Sequence, residues 1–256
     1  MNVRGVVTSL VLLAFVAACG SRQTGPPPGS AQPDRFLFER GNEALQKEQW
    51  TNARTYFQQI VDNYPQSPFR PDAKLSMGDS YLGEGSTDSL VLAGNEFREF
   101  LTFYPTNARA DYAQYKLAMS HFQQMRAPDR DQTETKAALK EFDVFFERYS
   151  NSMLAPEVKQ NWRTARDRLS ESSFLVGRLY YRLRWYPGAI ERFREVLRDD
   201  PEYTGRDAVY FHLAESLART DKKPEAIPYF ERLVSEFDRS EYVDEARKRL
   251  QELKNQ

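Results

Sequence analysis

Apolar residues along this chain recur every three or four positions, in paired blocks separated by short polar breaks. That period places side chains on one face of an α-helix. The clearest pair of blocks runs from Glu171 to Pro201. Its first block carries Phe174, Gly177 and Tyr180–Tyr181. Its second carries Ala189, Phe193, Val196 and Leu197 and stops at Asp200-Pro201. The spacing predicts two helices with a break at Trp185-Tyr186-Pro187-Gly188. Small Gly177 and Ala189 let antiparallel helices approach, Phe193 fills the gap between them, and Pro201 ends the unit because proline cannot continue a helix.

The same frame returns along the chain. Gly41, Ala53, Phe57 and Pro65 repeat it with identical spacing, and Ala214, Ala226 and Phe230 repeat it with Asp238 in the proline position. Gly78, Ala93, Phe97 and Pro105 form another copy whose second half arrives three residues late, which predicts a longer inter-helix turn over Gly83–Ser89. A looser copy has Ala118, then Ala138, Phe142 and Ser150 after the insertion QQMRAPDRDQTETK. This is the small-small-aromatic-proline pattern of tetratricopeptide repeats. It predicts an all-α solenoid of about five helix-turn-helix repeats, closed by a charged capping helix whose stripe is Val243, Ala246 and Leu250. With 40% hydrophobic and 13% aromatic residues, the chain has the material for a continuous core.

Taken in order, residues 1–18 read as a signal peptide, with Arg4 as its charged start and an apolar run too short to span a bilayer. Val16-Ala17-Ala18-Cys19 resembles the bacterial lipoprotein box, which makes Cys19, the only cysteine, the expected lipidation site. Residues 19–33 are the lipidated cysteine and a Pro/Gly/Ser-rich tether; its 14 residues from Gly20 reach about 46 Å when extended. Residues 34–152 hold the first three repeats. Residues 153–256 hold a long linking helix from Pro156 to Arg184, the last two repeats and the cap. Asp34 is the expected cap of the first helix, and Ser67-Pro68 the expected start of the third. Asn63-Tyr64-Pro65-Gln66-Ser67, Phe103-Tyr104-Pro105-Thr106-Asn107 and Arg148-Tyr149-Ser150-Asn151-Ser152 read as one joint used three times.

Little here carries chemistry. The net charge of −1, from 36 basic and 37 acidic residues, argues against nucleic acid held by bulk charge. His121 and His212 lie in different repeats without metal-ligand spacing, so no metal and no cofactor is expected. Gly83-Glu84-Gly85 lacks the strand a phosphate loop needs, and Asp199-Asp200 reads as solvated chain. The expectation is a non-enzymatic scaffold. In repeats of this type the first helices line a groove. Counted from the anchors, its lining is Phe38, Asn42, Leu45, Leu75, Asp79, Leu82, Tyr115, Lys116, Met119 and Phe122. In the fourth repeat the same face presents Arg178, Tyr181 and Arg182. Such a surface suits an extended peptide with aromatic side chains.

The lipobox, the five repeats, the Tyr-Pro joints, Arg130-Asp131-Gln132-Thr133 and the helix leading to Tyr180-Tyr181 together resemble the BamD family, the tetratricopeptide lipoproteins of the β-barrel assembly machinery. The resemblance implies a lipid-anchored outer-membrane protein facing the periplasm. It implies partners too: the barrel-forming assembly protein, bound through its periplasmic domains, other assembly lipoproteins, and unfolded outer-membrane proteins. It also implies that residues 34–152 are the substrate-binding half and residues 153–256 the partner-docking half, with a coupling role for Arg192 in the second helix of the fourth repeat. Other readings stay open on sequence alone: a periplasmic organiser linking cell-wall synthesis to envelope constriction, or a lipoprotein accessory of an export or pilus system.

Overall fold

A computed structural model describes residues 25–255. The expected signal segment, Cys19 and the start of the expected tether lie outside the described residues. Within them the chain forms eleven helices and no strand. Repeat 1 pairs α1 (Pro33–Gln46) with α2 (Trp50–Asn63), and repeat 2 pairs α3 (Arg70–Glu84) with α4 (Thr87–Phe103). Repeat 3 pairs α5 (Ala110–Phe122) with α6 (Thr133–Arg148), repeat 4 pairs α7 (Ala155–Arg182) with α8 (Tyr186–Asp199), and repeat 5 pairs α9 (Arg206–Arg219) with α10 (Lys223–Glu236). The cap is α11 (Val243–Lys254), seated through Val243, Ala246 and Leu253, with Leu250 half-buried beside them. Successive first helices touch, α1 on α3 and so on to α9, and form the inner layer of the solenoid.

The repeat pattern has a direct packing cause. A Cβ on Gly41 would lie 2.5 Å from the Phe57 ring, and one on Gly78 or Gly177 would lie 2.6 Å from Phe97 or Phe193. The phenylalanine of each second helix therefore rests on the backbone of the first. Phe142 and Phe230 are equally buried opposite Ala118 and Ala214.

Several local expectations change. The late half of repeat 2 does not lengthen the turn. Gly85, left-handed at φ 69°, and Ser86 alone separate α3 from α4, and the extra residues extend the helices, α4 to 17 residues. Ser86 starts α4 by accepting the Ser89 amide, so the run that looked like a loop contains an N-cap. Asp34 is not a cap: Pro33 takes the first turn and moves the start to Gln32. The third helix begins at Arg70 with Pro71 in its first turn, after a Ser67 turn in which Ser67 Oγ accepts the Phe69 amide. The break in repeat 4 is Leu183–Trp185, with Arg184 at φ 59°. Tyr186-Pro187-Gly188 open α8, where proline is tolerated.

The core is segmented. Four clusters follow the repeats, and the last two part inside α7, between Leu169 and Phe174. The first half of α7 closes repeat 3 with Val158 and Ala165; its second half opens repeat 4. Between them lies a polar knot. Asp200, expected in solvent, is buried, because Arg163 reaches it with both terminal nitrogens and Ser170 donates to it at 2.6 Å.

Candidate functional site: the inner face of the solenoid

The inner face over repeats 2 to 4 is a ladder of tyrosines and charges. It begins where Arg109 pairs with Asp72 at 3.0 Å and lies over the Tyr112 ring. Tyr112 donates its hydroxyl to Asp79 Oδ1 at 2.8 Å. Lys116, one turn along α5, lies 5.3 Å from the Tyr112 ring and 5.7 Å from Tyr115, and forms no ion pair among the described residues. Tyr115 donates to Glu157 at 2.6 Å and accepts from Asn161 at 2.9 Å, so the ladder continues onto α7.

Burial raises the Asp79 carboxyl above the ordinary aspartate range, although the Tyr112 hydrogen bond and Lys116 pull it down. Burial and the partner carboxylate also raise the Tyr112 and Tyr115 hydroxyls, which stay protonated donors. The ammonium of Lys116 is thus the one ladder group left to meet a ligand's carboxylate or carbonyl, between two rings that can stack on apolar side chains.

The expected lining divides. Asn42, Leu45, Lys116 and Met119 are half-exposed on the first helices. Phe38 wedges between repeats, stacked on Phe69 at 5.0 Å, and Phe122 stands edge-on to Phe142 at 6.1 Å. Leu75, Leu82 and Tyr115 are 0%, 7% and 4% exposed and do not line a groove. Their side chains fill the space between one repeat and the next, so only the Tyr115 hydroxyl takes part. Tyr112 is a ladder residue that anchor counting passed over; its spacing of one turn before Lys116 was the available signal.

The expected docking residues lie on two helices, α7 and α8. Arg178 lies over Phe174, and Tyr181 is edge-on to Tyr186 at 5.6 Å and to His212 at 5.4 Å. Arg182 is exposed at the end of α7. Arg192 is on α8, paired with Glu195 at 2.8 Å and beside Tyr180. His212 is the centre the sequence concealed. Phe174, Tyr181, Phe193, Phe211 and Tyr242 surround its ring, and burial lowers its basicity. Among the described residues no group of His, Cys, Asp or Glu is placed to hold a metal. No described helix is long and apolar enough to cross a membrane.

A family model described as outer membrane lipoprotein, YfiO, matches residues 30–223, which carry the whole ladder. The chain belongs to the YfiO family. A tetratricopeptide repeat model matches residues 208–240, the fifth repeat. Three relatives of this YfiO chain each bear the name outer membrane protein assembly factor BamD. That of Caulobacter vibrioides is 25% identical over 82% of this chain and 68% of its own. That of Vibrio cholerae is 24% identical over 77% and 83%. That of Rickettsia prowazekii is 22% identical over 100% of both.

Proposed function

We infer that this chain is a non-catalytic outer-membrane protein assembly factor, and that its inner face holds extended segments of unfolded outer-membrane proteins. The observation that carries this reading is the YfiO match over residues 30–223, which spans the repeats that build the ladder. The ladder supplies what such a role needs: a half-exposed ammonium at Lys116, aromatic faces beside it, and hydrogen-bonded tyrosines that hold the surface in shape. The N-terminal half, residues 34–152, is the client-binding half. Residues 153–256 dock the barrel-forming assembly protein and other assembly lipoproteins, with Arg178, Tyr181, Arg182 and Arg192 as the residues to vary first. Cys19, cleaved free of residues 1–18 and lipidated, anchors the chain to the periplasmic side of the outer membrane.

The test is binding of a labelled, aromatic-rich peptide from the last strand of an outer-membrane barrel to the full chain. Lys116→Glu with Met119→Glu is expected to weaken it about tenfold at unchanged helix content. Unchanged affinity removes the inner face from the reading. Cys19→Ser, followed by membrane fractionation, tests the anchor: a protein still in the membrane pellet overturns it.

A further inference from the structure

The residue before each anchor has one use in this fold. Met77 precedes Gly78, Leu117 precedes Ala118 and Leu213 precedes Ala214. They are 4%, 3% and 0% exposed, each in a core shared with the preceding repeat. Two residues past the anchor, Ser80, Ser120 and Ser216 are also buried. A Cβ on Gly94 of α4 would meet Ser120 Oγ at 2.9 Å and Leu117 at 3.7 Å, which fixes this flank as the one covered by the preceding second helix.

The second half of α7 departs from that rule. Its equivalents are Val176 and Leu179, 39% and 43% exposed, and Leu183 one turn on is 68% exposed. None of the three belongs to a core cluster among the described residues. The cause is the long helix itself: upstream of Phe174 the chain continues straight into repeat 3, so no second helix lies against this flank. In α1, which no described helix precedes, the same positions are Arg40 and Glu43, paired at 2.8 Å. That flank is finished with charge, as an end repeat facing water should be. The flank of α7 is finished with Val and Leu, which marks a contact surface.

Charge selects the occupant. Arg168, Arg182 and Arg184 border this half of α7 on the flank's side, and none forms an ion pair among the described residues. Its one acid, Glu171, already accepts the Tyr203 hydroxyl. A second copy of the chain would set arginines against arginines. We propose that the Val176–Leu179–Leu183 flank receives an amphipathic helix of another protein, apolar along one stripe and bordered by Asp and Glu. It lies where a preceding repeat would place its second helix. This assignment rests on the uncovered flank and the arginines beside it, and is independent of what the inner face holds.

The test uses the full chain and two fluorescein-labelled helical peptides of about 18 residues, long enough to hold a helix. They share one leucine stripe, bordered by Glu in one and by Lys in the other. The Glu peptide is expected to bind, more weakly as salt rises, and the Lys peptide at least tenfold more weakly. Leu179→Glu with Leu183→Glu removes binding without changing the melting temperature, because both side chains are exposed. Arg182→Glu reverses the peptide preference, and Leu92→Glu, at an exposed leucine of α4, changes nothing. Equal binding of the two peptides, no binding of either, or dimerisation of the chain lost in the leucine variant overturns the proposal.

Discussion

Ser67 donates its hydroxyl to Asp34 Oδ2 at 2.7 Å, joining the turn that leaves repeat 1 to the first turn of that repeat's opening helix. The same serine accepts the Phe69 amide at 3.1 Å. The device recurs as Ser152 with Asp111 and the Leu154 amide, and as Ser240 with Asp207 and the Tyr242 amide. In the second joint Asn107 accepts the Arg109 amide, and Arg109 itself reaches back to Asp72. Each clamp fixes where the next first helix begins, and hence the step from repeat to repeat.

Removing one clamp should cost a charge-assisted hydrogen bond, about 1.5–3 kcal/mol. Ser152→Ala, Asp111→Ala and the double variant form a cycle measured by urea denaturation. The double variant is expected to lose clearly less than the sum of the singles. Strict additivity would mean the clamp contributes nothing.

Gly177→Ala places a methyl 2.6 Å from the Phe193 ring. Such overpacking typically costs about 1–3 kcal/mol. Combining it with Phe193→Leu, which shortens the opposing side chain, is expected to return part of the loss relative to Phe193→Leu alone. Thermal melts of the four proteins read the sign directly.

The insertion of repeat 3 is held by one buried side chain. Gln132 donates to the Ala127 and Arg130 carbonyls at 2.8 and 2.9 Å and accepts from Thr135 at 2.8 Å. Gln132→Ala should free the loop and speed tryptic cleavage at Arg126 and Arg130, while the rest of the chain resists. Cleavage at the parent rate would show that the loop is held elsewhere.

His212 makes stability fall on mild acidification. Burial holds its folded pKa below the ordinary imidazole value of 6.5, so below that value the unfolded chain binds the proton first. The stabilisation is complete above 6.5 and is lost as pH falls toward the folded value. Arg178, Glu215 and Glu241 act on the ring, and of these Arg178 opposes the proton. The Asp200 carboxyl, held low by Arg163 and Ser170, loses its contribution only in stronger acid, below its ordinary 3.8, while the raised Asp79 works in the opposite sense. Melting temperatures of the parent and His212→Phe between pH 8 and 5 should diverge below 6.5, with the variant flatter. Parallel curves would overturn the assignment.

The anchors and their phenylalanines were legible because a glycine under a ring leaves a fixed spacing in the chain. So was the end of α2, which stops at Asn63, where the recurring joint was expected to begin. The clamps were half legible: the recurring joints stood out, but their aspartate partners lie a whole repeat upstream. Asp200 misled because an acid at a helix end looks solvated until Arg163 and Ser170, on another helix, come to meet it. Tyr115 misled for the opposite reason. Counting along one helix cannot tell the flank that faces a ligand from the flank that faces the next repeat.

In most stacked arrays each unit ends at a turn, and a turn is where strain is absorbed. Here α7 runs unbroken for 28 residues, about 42 Å at the rise of an α-helix. A straight rod of that length turned through about 5° at one end moves the other by several ångströms. Val158 and Ala165 in one core and Phe174 beside His212 in the next are carried on one such rod, with no turn between them to absorb a displacement. The joint that other repeats use as a bearing has become an axle.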